Sequence, residues 1–376
     1  MEGTVCEEMK ILLVGEYSNV HWTLAQGLRQ LGQEVTVASG GDSWKGYPRD
    51  IDIAHTLTLK GHISFSCRLF SALCKMRGYD IVQLINPVFL EMSAWPHKVI
   101  FDYLRRNNKH VVLGAFGMDY YWVQVNRDIR PMRYSDFNIG DKPRTDAVAQ
   151  EYIDTWIGTE AEYLCRYVAE RSEAIVAGLY EYWLTYQLAE EGTLKAKTAF
   201  IPFPIQVSNS CHMSGEKIRI FVGISKARSQ YKGTDIMLRA ARRLEQAYPD
   251  RVELIVAEGV PFAQYQSMMD GSDVILDQLY SYTPAMNALL AMSKGIVCVG
   301  GGEEEHYELL KENALRPIIN VEPSEESVYD QLEQLVLHPE RLPELKSQSM
   351  EYVSRHHGVL NVAKEYEKLY TSLMAE

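Results

Sequence analysis

The sequence has no long hydrophobic run. No window of the 376-residue chain approaches the roughly 18 consecutive apolar residues that a membrane-spanning helix needs. The N-terminal stretch MEGTVCEEMKILLVGEY has no basic region before its apolar residues, which indicates a short strand and not a secretion signal. We therefore expect a cytoplasmic protein, whose only membrane contact would be peripheral, at the inner face.

Cysteine is scarce and scattered. None of the six cysteines forms a CxxC pair or has the spacing of a zinc site. Reduced thiols in a cytoplasmic protein explain them most simply. No cluster of carboxylates or histidines has convincing ligand spacing either, so no metal site is predicted.

Basic residues are also fewer than acidic residues. The chain has 38 Lys and Arg against 50 Asp and Glu, a net charge of −12, which argues against a nucleic-acid partner. Two segments are nevertheless basic, one around Arg68, Lys75 and Arg77 and the other around Arg105 and Lys109. They predict either solvated helix faces or contact with an anionic membrane surface.

What the sequence does contain is a repeated alternation of strand and helix patterns. The first half has the apolar runs MKILLV, EVTVAS, YDIVQLI, KHVVLGAF and EAIVAG, separated by helical periodicity. The second half repeats the pattern with IRIFVGI, VELIVAEG, DVILDQL, GIVCVGG and RPIINV. This alternation predicts an α/β architecture with a parallel sheet in each half, and such sheets bind ligands at the carboxyl ends of their strands.

The length suits two domains. The proline-containing run IPFPI and the polar segment 208–216 indicate a connection between them. We therefore predict an N-terminal domain over 1–207, a C-terminal domain over 208–355 and a closing helix over 356–376. The stretch from Tyr120 to Lys142, rich in Tyr, Arg and Asp, predicts a long loop, and VAQEYIDTWIGTEAEYLCRYVAERS predicts one helix.

The most informative chemical signal follows the strand IRIFVGI. This strand ends at Gly223, a cationic loop with Lys226 and Arg228 comes next, and Lys232-Gly233 opens a helix. Cations placed at a helix start meet an anion where the backbone N–H groups and the helix dipole already favour negative charge. The pattern therefore predicts a phosphate site.

This half of the chain resembles the donor half of GT-B glycosyltransferases, in particular glycosyltransferase family 4 (group 1). Lys232-Gly233 matches the family's Lys-Gly helix start, and AMSKG at 291–295 matches its Ala-Met-Ala-x-Gly pattern. The family's paired glutamates are absent, since Tyr282 and Leu290 stand in their positions. The resemblance implies two Rossmann-like, doubly wound parallel-sheet domains facing a central cleft, with the closing helix packed back on the N-terminal domain.

The function implied by the resemblance is sugar transfer from a UDP-, GDP- or ADP-linked donor to a hydroxyl of a glycan or lipid-linked acceptor. Retention of configuration, independence from metal and a place in glycan or polysaccharide biosynthesis are expected with it. Because the paired glutamates are missing, a non-catalytic or divergent GT-B protein stays open as the alternative, either a nucleotide-sugar binding module or an epimerase.

On the donor side, the cations would neutralise the leaving diphosphate, and Lys232 with Arg228 are the predicted catalytic cations. Glutamates that follow the triplet 300–302 could accept hydrogen bonds from sugar hydroxyls, although an acidic helix start is favourable without a ligand. The resemblance places the backbone of the Val260-Pro261 turn at the base. The predicted donor site comprises Gly223, Lys226, Lys232, Gly233, Val260, Pro261, Glu305 and Glu308.

On the acceptor side, the first strand–helix loop and two later strand ends carry polar groups. The substrate-binding residues predicted there are Gly15, Tyr17, Ser18, His21 and Asn86. Asp119 is predicted to be catalytic, either positioning an acceptor hydroxyl or acting as a base. An Asx turn explains Asp119 as well, and a packed or capping role explains His21.

Overall fold

The computed structural model describes residues 8–55, 59–208, 215–225 and 229–375. Its larger sheet is parallel and has seven strands. Their order across the sheet is β3 (Ile51–Asp52), β2 (Glu34–Ser39), β1 (Lys10–Val14), β4 (Ile81–Leu84), β5 (His110–Ala115), β8 (Ala174–Ala177) and β9 (Thr198–Phe200).

The second sheet is also parallel and has five strands. Their order is β11 (Val252–Glu258), β10 (Ile218–Ile224), β12 (Val274–Leu276), β13 (Val297–Gly300) and β14 (Ile319–Asn320). A small antiparallel hairpin joins β6 (Asn138–Ile139) to β7 (Lys142–Pro143). The two parallel sheets with helical crossovers confirm the predicted α/β, doubly wound architecture.

Helices connect the strands and cover the sheets. In the first half of the chain they are α1 (Val20–Gln30), α2 (Leu59–Lys75), α3 (Ala94–Asn107), α4 (Tyr120–Asp128), α5 (Ala147–Trp156), α6 (Glu160–Arg171), α7 (Tyr180–Leu188) and α8 (Gly192–Ala196). In the second half they are α9 (Ser229–Lys232), α10 (Thr234–Ala247), α11 (Phe262–Met269), α12 (Met286–Ser293), α13 (Glu304–Leu310), α14 (Glu325–Leu337), α15 (Leu342–Tyr352) and α16 (Val359–Met374).

The chain divides into two compact units. Unit 1 contains Met1–Val123, Asp154–Pro204 and Val359–Glu376, and unit 2 contains Gln124–Ile153 and Ile205–Gly358. The segment 124–153, which the sequence analysis assigned to the N-terminal domain, is therefore grouped with the second sheet. We call this segment the excursion, because the chain leaves unit 1 within α4 and returns to it within α5.

The apolar runs form strands that are buried on both faces, as parallel sheets covered by helices require. In β1, all four residues of 11–14 are fully buried. In unit 2, Val222 of β10 belongs to the same core as Met237 and Leu244 of α10 and Leu332 of α14. The alternation of strand and helix thus builds one core in each unit.

The closing helix α16 packs against α1 within unit 1. At Gly27 of α1, an added Cβ would lie 2.7 Å from the main-chain oxygen of Val359 and 2.8 Å from the Cβ of Ala363. The hydroxyl of Tyr370 donates to Gln83 of β4 over 2.7 Å. Only a glycine at position 27 allows the two helices to approach this closely.

Two local predictions need correction. The predicted loop from Tyr120 to Lys142 contains α4 and the first strand of the hairpin. The predicted single helix is two helices, because Gly158 adopts a positive φ of 72° and ends α5. The side chain of Thr159 then caps α6 by accepting from Ala161 N, 3.2 Å away. The sequence T-x-x-E at 159–162 is a capping signal that could have revealed the break.

Two features are absent from the described ranges. None of the helices in these ranges is both long and apolar enough to cross a membrane. Within the same ranges, there is no group of at least three His, Cys, Asp or Glu side chains that could hold a metal ion.

Candidate functional site

The predicted phosphate-binding turn lies at the carboxyl end of β10 in unit 2. Gly233 is the N-cap of α10 with a φ of 71°, and an added Cβ there would lie 2.8 Å from the side chain of Leu279. The backbone N–H of Leu279 donates to the oxygen of Lys232 over 2.9 Å. The turn that carries Lys232 is therefore fixed against the loop that follows β12. The other two predicted cations, Lys226 and Arg228, lie outside the described residues.

Gly223, where the sequence analysis ended the strand, lies inside β10, which continues to Ile224 because Gly223 still pairs with Ala257 of the neighbouring strand. Tyr265 covers it so closely that an added Cβ would lie 2.5 Å from the tyrosine oxygen. Asn287 donates to the same oxygen over 2.5 Å, and burial raises the pKa of Tyr265 to about 12. Gly223 thus provides space for an aromatic ring, a role that the sequence analysis did not predict for it or for Tyr265.

Val260 and Pro261 form the turn between β11 and α11. Pro261 is the N-cap of α11, and the preceding Gly259 adopts a positive φ of 63°. Pro261 is exposed and Val260 half-buried. The turn presents backbone atoms at the carboxyl edge of the sheet, which is where the sequence analysis placed the nucleotide base.

The glutamates after the glycine triplet lie at the carboxyl end of β13. Glu303 is the N-cap of α13 and is only 8% exposed. Its carboxylate accepts hydrogen bonds from the guanidinium of Arg133 and the hydroxyl of Tyr134. Arg133 also pairs with Glu305 at 3.2 Å, and its backbone N–H donates to the Tyr282 hydroxyl over 2.7 Å. The excursion therefore supplies a cation and a hydroxyl to this edge of unit 2.

Of the two predicted glutamates, Glu305 takes part in this cluster, while Glu308 is exposed one turn further along α13. The sequence analysis missed Arg133 and Tyr134. They lie about 170 positions from Glu303 in the sequence, and no local pattern connects residues so far apart.

The excursion also holds α9, the short helix that ends at Lys232. The Arg144 guanidinium donates to the main-chain oxygens of Gln230 and Tyr231, each over 3.1 Å. It stacks 4.0 Å from the ring centroid of Tyr280. The hydroxyl of Tyr231 donates to the carboxylate of Asp136. Because Arg144 presents a planar fork of donors, it satisfies two carbonyls at once and fixes the orientation of α9.

In unit 1, the loop between β1 and α1 is held by the buried carboxylate of Glu16 and the half-buried carboxylate of Asp42. Gly15 adopts a φ of 87°. Asp42 accepts from the backbone N–H of Ser18 over 2.8 Å. Glu16 accepts from the N–H groups of His21 and Trp22 at the start of α1, over 3.3 and 2.9 Å. Burial raises the pKa of Glu16 to about 8. Glu16 is a residue that the sequence analysis did not select.

His21 is fully buried beneath this loop. Its Nδ1 lies 2.8 Å from the carbonyl oxygen of Gly15, and Gln83 donates to its Nε2 over 3.2 Å. Burial lowers the pKa of His21 to about 3, so the ring is neutral, with the hydrogen on Nδ1. With both nitrogens engaged, the contacts favour a role in shaping the loop over the predicted direct contact with a sugar.

The remaining predicted residues of unit 1 lie at the carboxyl ends of β1, β4 and β5. Asn86 donates to the main-chain oxygen of Met118 over 3.3 Å, and the Tyr17 hydroxyl donates to the oxygen of Val88, also over 3.3 Å. An added Cβ at Gly117 would lie 3.1 Å from the Tyr17 ring. The fold thus brings the loop after β1 together with the residues after β4 and β5.

Asp119 is buried, and both of its carboxylate oxygens have partners. One accepts from the backbone N–H of Trp122 over 2.8 Å, and the other from the Tyr186 hydroxyl over 2.7 Å. Burial raises the pKa of Asp119 to about 6. The contacts match the Asx-turn alternative and favour a structural role over the predicted catalytic one.

Comparison with known proteins gave matches in structure alone. No protein-family model matches the sequence, and no curated protein matches it. Among solved structures, HepE from Anabaena in complex with UDP and glucose is similar, with a TM-score of 0.59 and 12% identity over 97% of this chain and 100% of HepE. Sucrose-phosphate synthase from Thermosynechococcus elongatus is similar with a TM-score of 0.61 and 13% identity over 98% and 100% of the two chains.

A third similar structure is the UDP-GlcNAc 2-epimerase from Neisseria meningitidis bound to UDP-GlcNAc, with a TM-score of 0.52 and 13% identity over 98% and 100% of the chains. At these identities the likeness establishes the fold. The chain has the GT-B fold, as the sequence analysis expected.

Proposed function

We propose that this protein is a glycosyltransferase that moves a sugar from a nucleoside-diphosphate sugar to a hydroxyl acceptor. The observation that carries the proposal is the Lys232-Gly233 turn at the carboxyl end of β10. It combines a lysine with the start of a 14-residue helix in a GT-B fold. HepE, which shares the fold, holds UDP and glucose in its structure.

In the proposed reaction the bond between the anomeric carbon and the diphosphate oxygen breaks. The acceptor oxygen bonds to the anomeric carbon and its proton passes to water, while the nucleoside diphosphate leaves with an added negative charge. Lys232 would stabilise that charge, together with the first turn of α10. Arg144 and the hydrogen bond between Leu279 and Lys232 would keep the turn in place before the reaction begins.

The finer parts of the proposal concern the chemistry and the acceptor. We propose transfer with retention and without a bound metal, with cationic side chains in the place of a metal at the diphosphate. The acceptor would be a glycan or a lipid-linked glycan in polysaccharide biosynthesis. Val260 and Pro261 would hold the base through their backbone, and the cluster of Arg133, Glu303 and Glu305 would meet the hydroxyls of the sugar.

A second candidate function is epimerisation of a nucleotide sugar. It is favoured by the likeness to the UDP-GlcNAc 2-epimerase and by the presence of Tyr282 and Leu290 where family 4 has glutamates. The same site could also bind a nucleotide sugar without catalysis. An epimerase converts the sugar while it remains attached to the nucleotide, whereas a transferase releases the nucleoside diphosphate.

The test is to incubate the protein with UDP-, GDP- and ADP-linked sugars and glycan acceptors, and to measure both released nucleoside diphosphate and epimerised donor. The proposal predicts release from at least one donor, unchanged in EDTA. Epimerised donor without release would support the second candidate. Binding without turnover would support the non-catalytic alternative. Activity that is lost in EDTA and restored by Mg²⁺ or Mn²⁺ would contradict metal independence.

A further inference from the structure

A strongly basic stretch lies within this acidic chain. Residues 59–109, which span α2 and α3, contain eight Lys and Arg and three Asp and Glu, a net charge of +5, whereas the whole chain carries −12. Lys75, Arg77, Arg105 and Arg106 are all exposed in unit 1. The charge of the chain is therefore distributed unevenly, and one region of unit 1 is cationic.

The same region exposes large apolar side chains. Phe70 of α2 is 73% exposed, Trp95 and Val99 of α3 are 63% and 64% exposed, and Tyr163 of α6 is 56% exposed. The spacing of Trp95, Val99 and Arg106 along α3 places all three on one face of the helix. Exposure of large apolar side chains to water is unfavourable, so their grouping beside cations indicates an interaction surface.

The exposed residues belong to one continuous surface of unit 1. One groove is lined by Phe70 and Leu73 of α2 and by Met92 and Ser93. A second groove is lined by Ala94, Trp95 and Tyr163. Because residues 92–95 are consecutive, the two grooves share a border. We call this the α2–α3–α6 surface.

Several of these cations are paired with carboxylates: Lys98 with Asp102 at 3.1 Å, Arg105 with Glu173 at 3.8 Å and Lys109 with Asp80 at 2.7 Å. Glu160 also lines the second groove. These carboxylates reduce the positive charge locally. Lys75 and Arg77 are exposed two and four positions after Leu73, and Arg106 is on the same face of α3 as Trp95 and Val99. The surface thus combines an apolar centre with a cationic margin.

We propose that the α2–α3–α6 surface binds the anionic surface of a lipid bilayer. Trp and Tyr side chains favour the interface between headgroups and hydrocarbon, while Lys and Arg are attracted to anionic headgroups. The contact is peripheral: apolar side chains enter the headgroup layer and the basic residues remain in it. The proposal does not depend on sugar transfer and can be tested apart from it.

Charge distinguishes a bilayer from the other candidate partners. In a symmetric dimer the same patch faces itself, so a second copy would bring two cationic surfaces together. A nucleic acid would contact the cations, but its phosphate backbone provides no apolar partner for Phe70, Trp95 and Val99. An anionic bilayer satisfies both the apolar and the cationic parts of the surface.

The experiment is co-sedimentation of the full chain with vesicles of phosphatidylcholine alone or mixed with phosphatidylglycerol, at low and high salt. The expected result is binding to the mixed vesicles that weakens as salt rises, with little binding to phosphatidylcholine alone. The double variant Phe70→Ser/Trp95→Ser should lose binding to the mixed vesicles. The double variant Lys75→Glu/Arg77→Glu should also bind the mixed vesicles more weakly. Each substitution should lower the affinity at least about fivefold, which is the effect expected for removing one basic residue near a bilayer surface.

Matched controls lie in unit 2. Leu337→Ser changes another exposed apolar residue, and Arg242→Glu reverses another exposed arginine. Both controls should bind vesicles as the unchanged protein does, and circular dichroism should show all variants folded. Titration with UDP in the same variants separates this proposal from the donor site, because loss of vesicle binding should leave UDP binding unchanged.

Three outcomes would overturn the proposal: no binding to the mixed vesicles, equal binding to both vesicle types, or an equal loss of binding in the controls. Light scattering provides a further check. A dimer of the unchanged protein that dissociates in Phe70→Ser/Trp95→Ser would assign the surface to a second copy and also overturn the proposal.

Discussion

The hydroxyl of Tyr186 donates to a carboxylate oxygen of Asp119 over 2.7 Å, and both side chains are buried in unit 1. The other carboxylate oxygen accepts from the backbone N–H of Trp122 in the first turn of α4. Asp119 therefore connects the segment after β5 to α7 and caps α4 at the same time. These contacts explain its position at a strand end by a structural role.

Asp119→Ala should destabilise the protein by about 1–3 kcal/mol, because the Trp122 N–H and the Tyr186 hydroxyl lose their buried acceptor. Tyr186→Phe should cost about 1 kcal/mol, and the double variant should cost less than the sum of the two. Urea unfolding measures all three, with the exposed Glu190→Ala as the control. If the double variant loses as much stability as the two single variants together, the two side chains do not interact.

Because Glu16 is buried, the free energy of unfolding should depend on pH. Its pKa is raised from 4.5 to about 8 in the folded protein, so between these values the folded chain holds a proton that the unfolded chain releases. Stability should therefore fall as pH rises from about 4.5 to 8 and become level above that range. Glu16→Gln cannot titrate and should show a smaller fall.

Thermal unfolding across this pH range measures the effect of Glu16. The control is Glu34→Gln, the same substitution at a half-exposed glutamate. Identical pH profiles for Glu16→Gln and the unchanged protein would show that Glu16 is ionised in the folded state.

Substitution of Arg144 should weaken nucleotide binding indirectly, through α9. Arg144→Ala leaves the main-chain oxygens of Gln230 and Tyr231 without this donor, so α9 should become less ordered and UDP should bind more weakly. Arg144→Lys should recover little, because an ammonium lacks the planar fork. Arg242→Ala, an exposed arginine in α10, is the control.

Calorimetric titration of each Arg144 variant with UDP gives the dissociation constant directly. If Arg144→Ala binds UDP as tightly as the unchanged protein does, then α9 does not contribute to the nucleotide site.

Substitution of Lys232 should have a large effect on the rate of sugar transfer. Lys232→Ala should leave the fold intact and reduce the transfer rate at saturating donor by about 100- to 1,000-fold, because it removes a preorganised cation from the leaving diphosphate. Lys232→Arg should recover part of the rate, since the charge is kept but its shape and reach change. A rate for Lys232→Ala within a few-fold of the unchanged protein would assign the diphosphate to other groups.

Much of the fold could be predicted from the sequence because parallel strands are continuous apolar runs. Ile11 to Val14 of β1 and Val297 to Val299 of β13 are buried and were recognisable in this way. Short edge strands such as β3, with two residues, and β9, with three, have too few positions to show a pattern.

The candidate site was less predictable, for a different reason. Strand ends and glycine turns can be recognised in a sequence, so the places of Gly15, Asn86 and Gly233 in loops and turns could be predicted, while their contact with a ligand stays a prediction. The contacts from Arg133 to Glu303 and from Arg144 to α9 join distant parts of the chain, and they depend on how the excursion packs in unit 2. The burial of His21 and Asp119 likewise follows from packing, which a single sequence does not reveal.

The most direct test of the account is a calorimetric titration of the unchanged protein and Lys232→Ala with UDP, GDP and ADP. The account predicts that at least one of these binds the unchanged protein and that Lys232→Ala binds it about 10- to 100-fold more weakly, as the loss of a charged hydrogen bond implies. Lys364→Ala, an exposed lysine of α16, should bind normally. Failure of all three nucleotides to bind, or equal binding by Lys232→Ala, would contradict a nucleoside-diphosphate site at the Lys232-Gly233 turn.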